Sequence, residues 1–136
     1  LQYLADQNTE GNMTPLEGTP ERYQLQEWLT FIATEPQRIL GSFFIPDNLT
    51  EAGLTFAKNR LHHRLASMED RLTQNEYLAG TDYTIADAYA FAILNWIPAF
   101  NLDIDISAYK NLSIYLDKIR QREAVQTAMK EEGLLE

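Results

Sequence analysis

The sequence predicts an all-α fold, a bundle of about five helices around one buried central helix. Three observations carry that reading. From Ile85 to Ile97 the only polar side chains besides the Tyr89 hydroxyl are Asp87 and Asn95. A helix so apolar on every side is usually buried all round. Two longer stretches before it place apolar residues at steps of three and four, the spacing of amphipathic helices. Glycine and proline are sparse, six and five in 136 residues, and no internal repeat is evident.

Taken in order, Leu1 to Gln7 (L-Q-Y-L-A-D-Q) reads as the end of a helix, because no cap precedes an apolar pattern already under way. Residues 8–19 have the glycine, proline and asparagine content of a linker. The expected organisation is therefore a helical remnant of an absent upstream domain at 1–7, a linker at 8–19 and a helical domain at 20–136.

Thr19 caps the next helix with Pro20 at its first position. Its stripe is Leu25, Trp28, Leu29, Ile32, Ala33, Pro36, Ile39, Leu40 and Phe43, with a kink expected one turn before Pro36. Gly41 and the run Phe43-Phe44-Ile45-Pro46 end it. A third helix is expected to begin around Asn48 to Thr50, with Glu51 helping to cap it. It carries Leu54, Ala57, Leu61, Leu65, Met68 and Leu72 on one side, so the two helices pack antiparallel.

A polar break at Gln74-Asn75-Glu76 and a turn at Gly80 lead to the central helix. There Thr84 and Asp87 have the spacing of a capping box, each side chain accepting from the other's backbone N–H. Tyr83 and Ala88 are placed for a hydrophobic staple, and Asp87 puts negative charge at the positive end of the helix dipole. Pro98 is expected to close this helix. Asn101 to Ile106 alternates apolar and acidic residues but has no partner strand, so it reads as an extended loop. Ser107 is expected to cap a helix with Ala108, Leu112, Tyr115, Leu116 and Ile119 inward. After Arg122-Glu123 a short last helix carries Val125, Ala128 and Met129, with Gly133 as its C-terminal cap.

Composition excludes several functions. Eleven basic against twenty acidic residues give a net charge of −9, the wrong sign for nucleic acid or anionic lipid. The acidic surplus, Asp103, Asp105, Glu131, Glu132 and Glu136 among it, reads as a solvated face. With no cysteine there is no disulfide, thiolate metal site or cysteine nucleophile. No segment reaches the roughly 20 apolar residues of a membrane span, and the chain reads as cytoplasmic. The N-x-S/T triplets at Asn12, Asn48 and Asn111 are read as chance. His62-His63 sit about 100° apart on a helix and outside any H-E-x-x-H pattern, so no metal site is expected. Glu35 and Arg38, three apart, read as an ordinary surface ion pair. Tyr23, Trp28, Phe31, Phe43 and Phe44 read first as core or interface, and second as a wall for an apolar ligand.

Three segments together carry a family resemblance: E-W-L-T-F-I-A-T-E at Glu27 to Glu35, Y-L-A-G-T-D-Y-T-I-A-D-A at Tyr77 to Ala88, and A-V-Q-T-A-M-K-E-E-G-L at Ala124 to Leu134. They resemble the helical C-terminal domain of cytosolic glutathione transferases, most closely the bacterial beta class, and the likeness covers essentially the whole chain. It implies that Leu1 to Gln7 ends a thioredoxin-like N-terminal domain. It also implies that glutathione is the co-substrate, that the partners are a second copy of the chain and a small apolar electrophile, and that no metal is needed. Carried over by position, Thr30, Thr34, Glu35 and Gln37 correspond to glutathione-site residues, while Gln37, Arg38 and Trp96 correspond to the co-substrate pocket.

Two departures stand out. Gln37 replaces a histidine and cannot titrate near neutral pH, though it still donates and accepts hydrogen bonds. Pro36 precedes it and alters the local backbone. A further, minor departure is Glu123, which stands where the family usually opens its last helix with proline. The residue that activates the thiol lies in the upstream domain of such enzymes, so no catalytic residue is expected here and the chain alone is expected to be inactive. The competing reading is a non-catalytic domain of the same fold that holds protein partners.

Overall fold

A computed structural model describes residues 1–8, 11–45, 49–99 and 102–135. Among them are helices α1 (Gln2–Gln7), α2 (Pro20–Thr34), α3 (Pro36–Gly41), α4 (Glu51–Leu72), α5 (Ile85–Leu94), α6 (Trp96–Ala99), α7 (Lys110–Arg120) and α8 (Glu123–Glu131). Two 3₁₀ turns, Ser42–Phe44 and Ile106–Ala108, join them, and the described residues contain no strand beyond the isolated bridge Tyr77–Gly80. The expectations at Pro46, Asn48, Phe100, Asn101 and Glu136 lie outside the described residues.

The central helix is α5. It packs against α2, α3 and α7, while α4 closes the bundle against α3 and α7. Ile85, Ala86, Ala90, Phe91, Ile93 and Leu94 are buried, as are Leu25, Ile32 and Leu40 from α2 and α3, Leu61, Leu65 and Met68 from α4, and Leu112, Tyr115 and Ile119 from α7. The burial is not all round, however. Ala92 is exposed and Ala88 and Trp96 are half-buried, so one edge of α5 stays open.

Both prolines break helices where a kink or an end was expected elsewhere. Proline has no N–H, and its ring crowds the carbonyl four residues earlier. The ring of Pro98 therefore acts on Leu94, the last residue of α5, and Pro98 itself sits inside α6. The expectation that Pro98 closes the central helix is corrected to a break at Asn95. Likewise Pro36 starts α3, and Glu35 before it leaves the helical region at φ −113°, ψ −82°. Residues preceding proline disfavour the α conformation, so the chain makes a joint rather than a kink.

Two side-chain assignments also change. Ala33 and Ala108 are exposed rather than inward. Ser107 does not cap α7: it lies in a 3₁₀ turn whose own cap is Asp105, Ser107 N–H donating to Asp105 Oδ1 at 2.9 Å. The start of α7 is held instead by a carboxylate from another helix. Glu69 of α4 accepts from the N–H of Asn111 at 3.0 Å, its Nδ2 at 2.8 Å, and the N–H of Leu112 at 2.8 Å.

At the other end of the chain Gly133 acts as anticipated. The N–H of Leu134 reaches the Met129 carbonyl at 2.8 Å, and that of Gly133 reaches Lys130 at 3.1 Å, the Schellman pair. Gly133 has φ +70°, which a Cβ would strain. Gly133→Ala is expected to cost about 1 kcal/mol, read by urea denaturation with an unchanged slope.

Candidate functional site

Everything near the site depends on how α5 is set. Thr84 and Asp87 form the reciprocal capping box. Asp87 Oδ2 accepts from the Thr84 N–H at 2.7 Å and from its hydroxyl at 2.9 Å. Oδ1 accepts from the Leu78 N–H at 3.0 Å and the Tyr115 hydroxyl at 2.8 Å. One fully buried carboxylate thus joins the cap of α5, the preceding loop and α7. Burial raises its proton affinity above that of a free aspartate, and the Leu78, Thr84 and Tyr115 donors pull it back. Burial, reinforced by the Asp87 charge, also holds the Tyr115 hydroxyl well above its ordinary value, so it stays a donor.

The open edge of α5 faces α8 across a cleft of about 580 Å³. Ala88, Phe91, Ala92 and Trp96 line one side and Val125, Ala128 and Met129 the other, with Met13 and Leu134 also at the wall. Its polar lining residues are few: Tyr83, Asn95, Arg122 and Glu132. Arg122 places its guanidinium 3.7 Å from the Tyr83 ring centroid, a cation–π contact. Trp96 meets Phe44 edge-on with centroids 5.1 Å apart, so the 3₁₀ turn after α3 braces the indole.

The residues singled out from sequence are not all gathered here. Trp96 lines the cleft, whereas Thr30, Thr34, Glu35, Gln37 and Arg38 do not. Thr30 and Thr34 are exposed on α2, one turn apart, their hydroxyls donating to the carbonyls of Gln26 and Thr30 at 2.8 Å each. Glu35 does not pair with Arg38. It accepts from Arg64 Nε at 2.6 Å and Arg60 Nη2 at 2.9 Å, which ties the α2–α3 joint to α4. The hydrogen bond from Arg64, joined by that from Arg60, holds the Glu35 carboxyl below its usual range. Arg38 is exposed, and Gln37 accepts a hydrogen bond from the Tyr89 hydroxyl. Among the broader aromatic set, Trp28 and Phe31 meet edge-on at 5.3 Å, Phe43 is buried and Tyr23 is exposed. His62 Nδ1 sits 2.7 Å from the Tyr109 hydroxyl, and the described residues hold no cluster of three potential metal ligands. Among the described residues no helix is long and apolar enough to cross a membrane.

Sequence reasoning missed Arg122, Met129 and the open edge of α5 as parts of one cleft. The small residues Ala88 and Ala92 on α5 and Ala124 and Ala128 on α8, each pair four apart, were the available signal.

The architecture is that of an all-helical domain built on a capped, mostly buried helix, with an apolar cleft along its open edge. Residues 31–123 match the family model of the glutathione S-transferase C-terminal domain, and the chain belongs to that family. It is 30% identical over 134 residues to glutathione S-transferase GstA of Escherichia coli O157:H7, covering 98% of this chain and 65% of that protein. The crystal structure of a glutathione transferase from Methylococcus capsulatus matches at 43% identity and a TM-score of 0.92, covering 99% of this chain and 66% of the other. A bacterial beta class glutathione S-transferase from Sphingomonas chungbukensis matches at 36% identity and a TM-score of 0.90, with the same coverage. The chain thus spans just under two thirds of the length of these relatives.

Proposed function

We propose that this chain is the helical C-terminal domain of a two-domain, cytoplasmic, homodimeric glutathione transferase. The whole polypeptide joins the sulfur of glutathione to small, largely apolar electrophiles. Family membership supports the class of reaction, and the apolar cleft walled by Trp96 is the observation in this chain that carries the electrophile's side of it. The ionised thiol is the nucleophile in such a transfer. We assign the task of ionising it to an upstream thioredoxin-like domain, with residues 1–7 as its last helix and 8–19 as the linker.

By family position we assign Thr30, Thr34, Glu35 and Gln37 to the glutathione side and Gln37, Arg38 and Trp96 to the electrophile's, although of these residues Trp96 alone lines the cleft. Gln37 positions by hydrogen bonding without moving a proton near neutral pH. Its bond from Tyr89 gives that amide a fixed orientation.

The test is to express the longer polypeptide and follow conjugation of an aryl halide with glutathione. Trp96→Ala is expected to raise KM for the aryl halide several-fold, on the scale of removing an aromatic wall, with KM for glutathione little changed. A wild-type protein with no rate above background rejects the transferase reading and leaves the partner-holding domain in its place.

A further inference from the structure

Helix α1, residues Gln2–Gln7, has two unlike faces. Toward α2 it turns Gln2, Ala5 and Asp6. Ala5 is buried, and Asp6 receives a bidentate grip from Arg22, Nη1 to Oδ1 at 2.7 Å and Nη2 to Oδ2 at 2.8 Å. The same guanidinium donates to the Pro15 carbonyl at 3.3 Å and to Gln2 Oε1 at 3.4 Å. One arginine therefore ties together α1, the linker and the first turn of α2. Its side chain is only 7% exposed while that of Asp6 is 46% exposed, and its Nε is buried without a partner.

Such a pair adds little net stability, because desolvating the arginine offsets most of its attraction to a half-exposed carboxylate. What a planar fork does supply is direction. The outer face of α1 gives that direction a purpose. Leu1, Tyr3 and Leu4 stand 60%, 74% and 69% exposed, an apolar patch on a helix of six residues. A helix so short does not hold itself in water. The relatives are longer than this chain by about a third of their own length, which is enough polypeptide to cover the patch.

We infer that the Arg22–Asp6 pair is an orienting clamp: it sets the angle at which α1, and an upstream domain seated on Leu1, Tyr3 and Leu4, stands on the helical bundle. The inference rests on the two-domain reading above. Arg22 is a positioning residue in it, acting on the site only through α1.

The experiment uses the longer polypeptide, spin-labelled at Lys130→Cys and at one site on the upstream domain, with pulsed-EPR distances and conjugation kinetics. The double variant Asp6→Asn/Arg22→Met removes both charges together, so that no buried charge is left unpaired and thermal melting stays at the wild-type value. Its distance distribution is expected to broaden at least about twofold and kcat/KM for glutathione to fall roughly tenfold, as misaligned halves of a site do. Arg22→Lys keeps the charge but loses the fork, and is expected to follow the double variant. Distances and kcat/KM that match wild type in both variants overturn the clamp. A wild type that conjugates nothing overturns the transferase reading instead, and the distance measurement still decides the clamp.

Discussion

Asp87→Ala is expected to lower the unfolding free energy by about 4 kcal/mol, a large share of the 5–15 kcal/mol of an ordinary domain. Four donors converge on this carboxylate: the N–H and hydroxyl of Thr84, the N–H of Leu78 and the hydroxyl of Tyr115. Alanine leaves three of them, two backbone N–H groups and one phenol, facing a dry gap. Each orphaned buried donor costs about 1–3 kcal/mol, and the Thr84 hydroxyl can turn elsewhere. Graded variants keep the test open if alanine does not fold. Tyr115→Phe removes one bond and should cost about 1 kcal/mol, Thr84→Ala about 1–2, and Asp87→Asn a value between these and alanine. The checking measurement is urea denaturation of all four. Equal, small losses across the series would mean that the carboxylate is a local cap only.

The proton linkage of Asp87 runs opposite to that of a surface carboxylate. Its folded-state pKa is raised, so the folded chain binds the proton more tightly than the unfolded chain. That contribution is fully present below the ordinary aspartate value and fades as pH rises through the folded-state value. Asp87→Asn removes it, and the variant's loss relative to wild type therefore grows as the solution is acidified.

The fold was legible in the sequence wherever one segment carries its own instructions. The Thr84–Asp87 spacing, the Gly133 cap and the stripe from Leu61 to Leu72 each specify a local geometry that the structure contains. Pro36 and Pro98 were visible as interruptions, but the chain breaks directly before Pro36, at Glu35, and one turn back for Pro98, whose ring crowds the Leu94 carbonyl. For Pro98 that puts the break at Asn95, ahead of the proline itself. What was not legible is what joins segments far apart in sequence. Glu69 reads as one more acidic residue on a charged face, and nothing near it announces that α7 begins against it. Glu35 similarly looks like a partner for Arg38 at helical spacing, yet the joint at Pro36 turns it toward Arg60 and Arg64 of α4. The cleft was hidden for the same reason. A helix apolar on all sides says that it is buried, but it does not say that α8 stops short of covering Ala92.

Glu69 is where such a long-range link carries the most weight. A helix start leaves N–H groups without intrahelical partners, and here no local side chain serves α7, since Tyr109 at the cap position makes no side-chain cap bond. Glu69 takes two of these N–H groups and fixes the rotamer of Asn111 as well. Its negative charge also sits at the positive end of the α7 dipole. Desolvation pushes the Glu69 carboxyl up, but the Asn111 and Leu112 N–H bonds outweigh it and leave the group below the usual glutamate range. The sign therefore follows: the folded chain binds this proton less tightly than the unfolded chain. The stabilisation is present above the ordinary glutamate value and is lost as pH falls through the folded-state value. Glu69→Ala is expected to cost about 2–3 kcal/mol at neutral pH, the sum of charge-assisted bonds partly replaced by water. Glu69→Gln keeps one acceptor oxygen and should cost about half as much. Because α7 carries Tyr115, the donor to Asp87, loosening its start also weakens the α5 cap, so Glu69→Ala and Tyr115→Phe should be less than additive. Urea denaturation at pH 7 and at pH 3 checks both points: the Glu69→Ala deficit should shrink at the lower pH, and a deficit equal at the two would show that the carboxylate charge is not what holds α7.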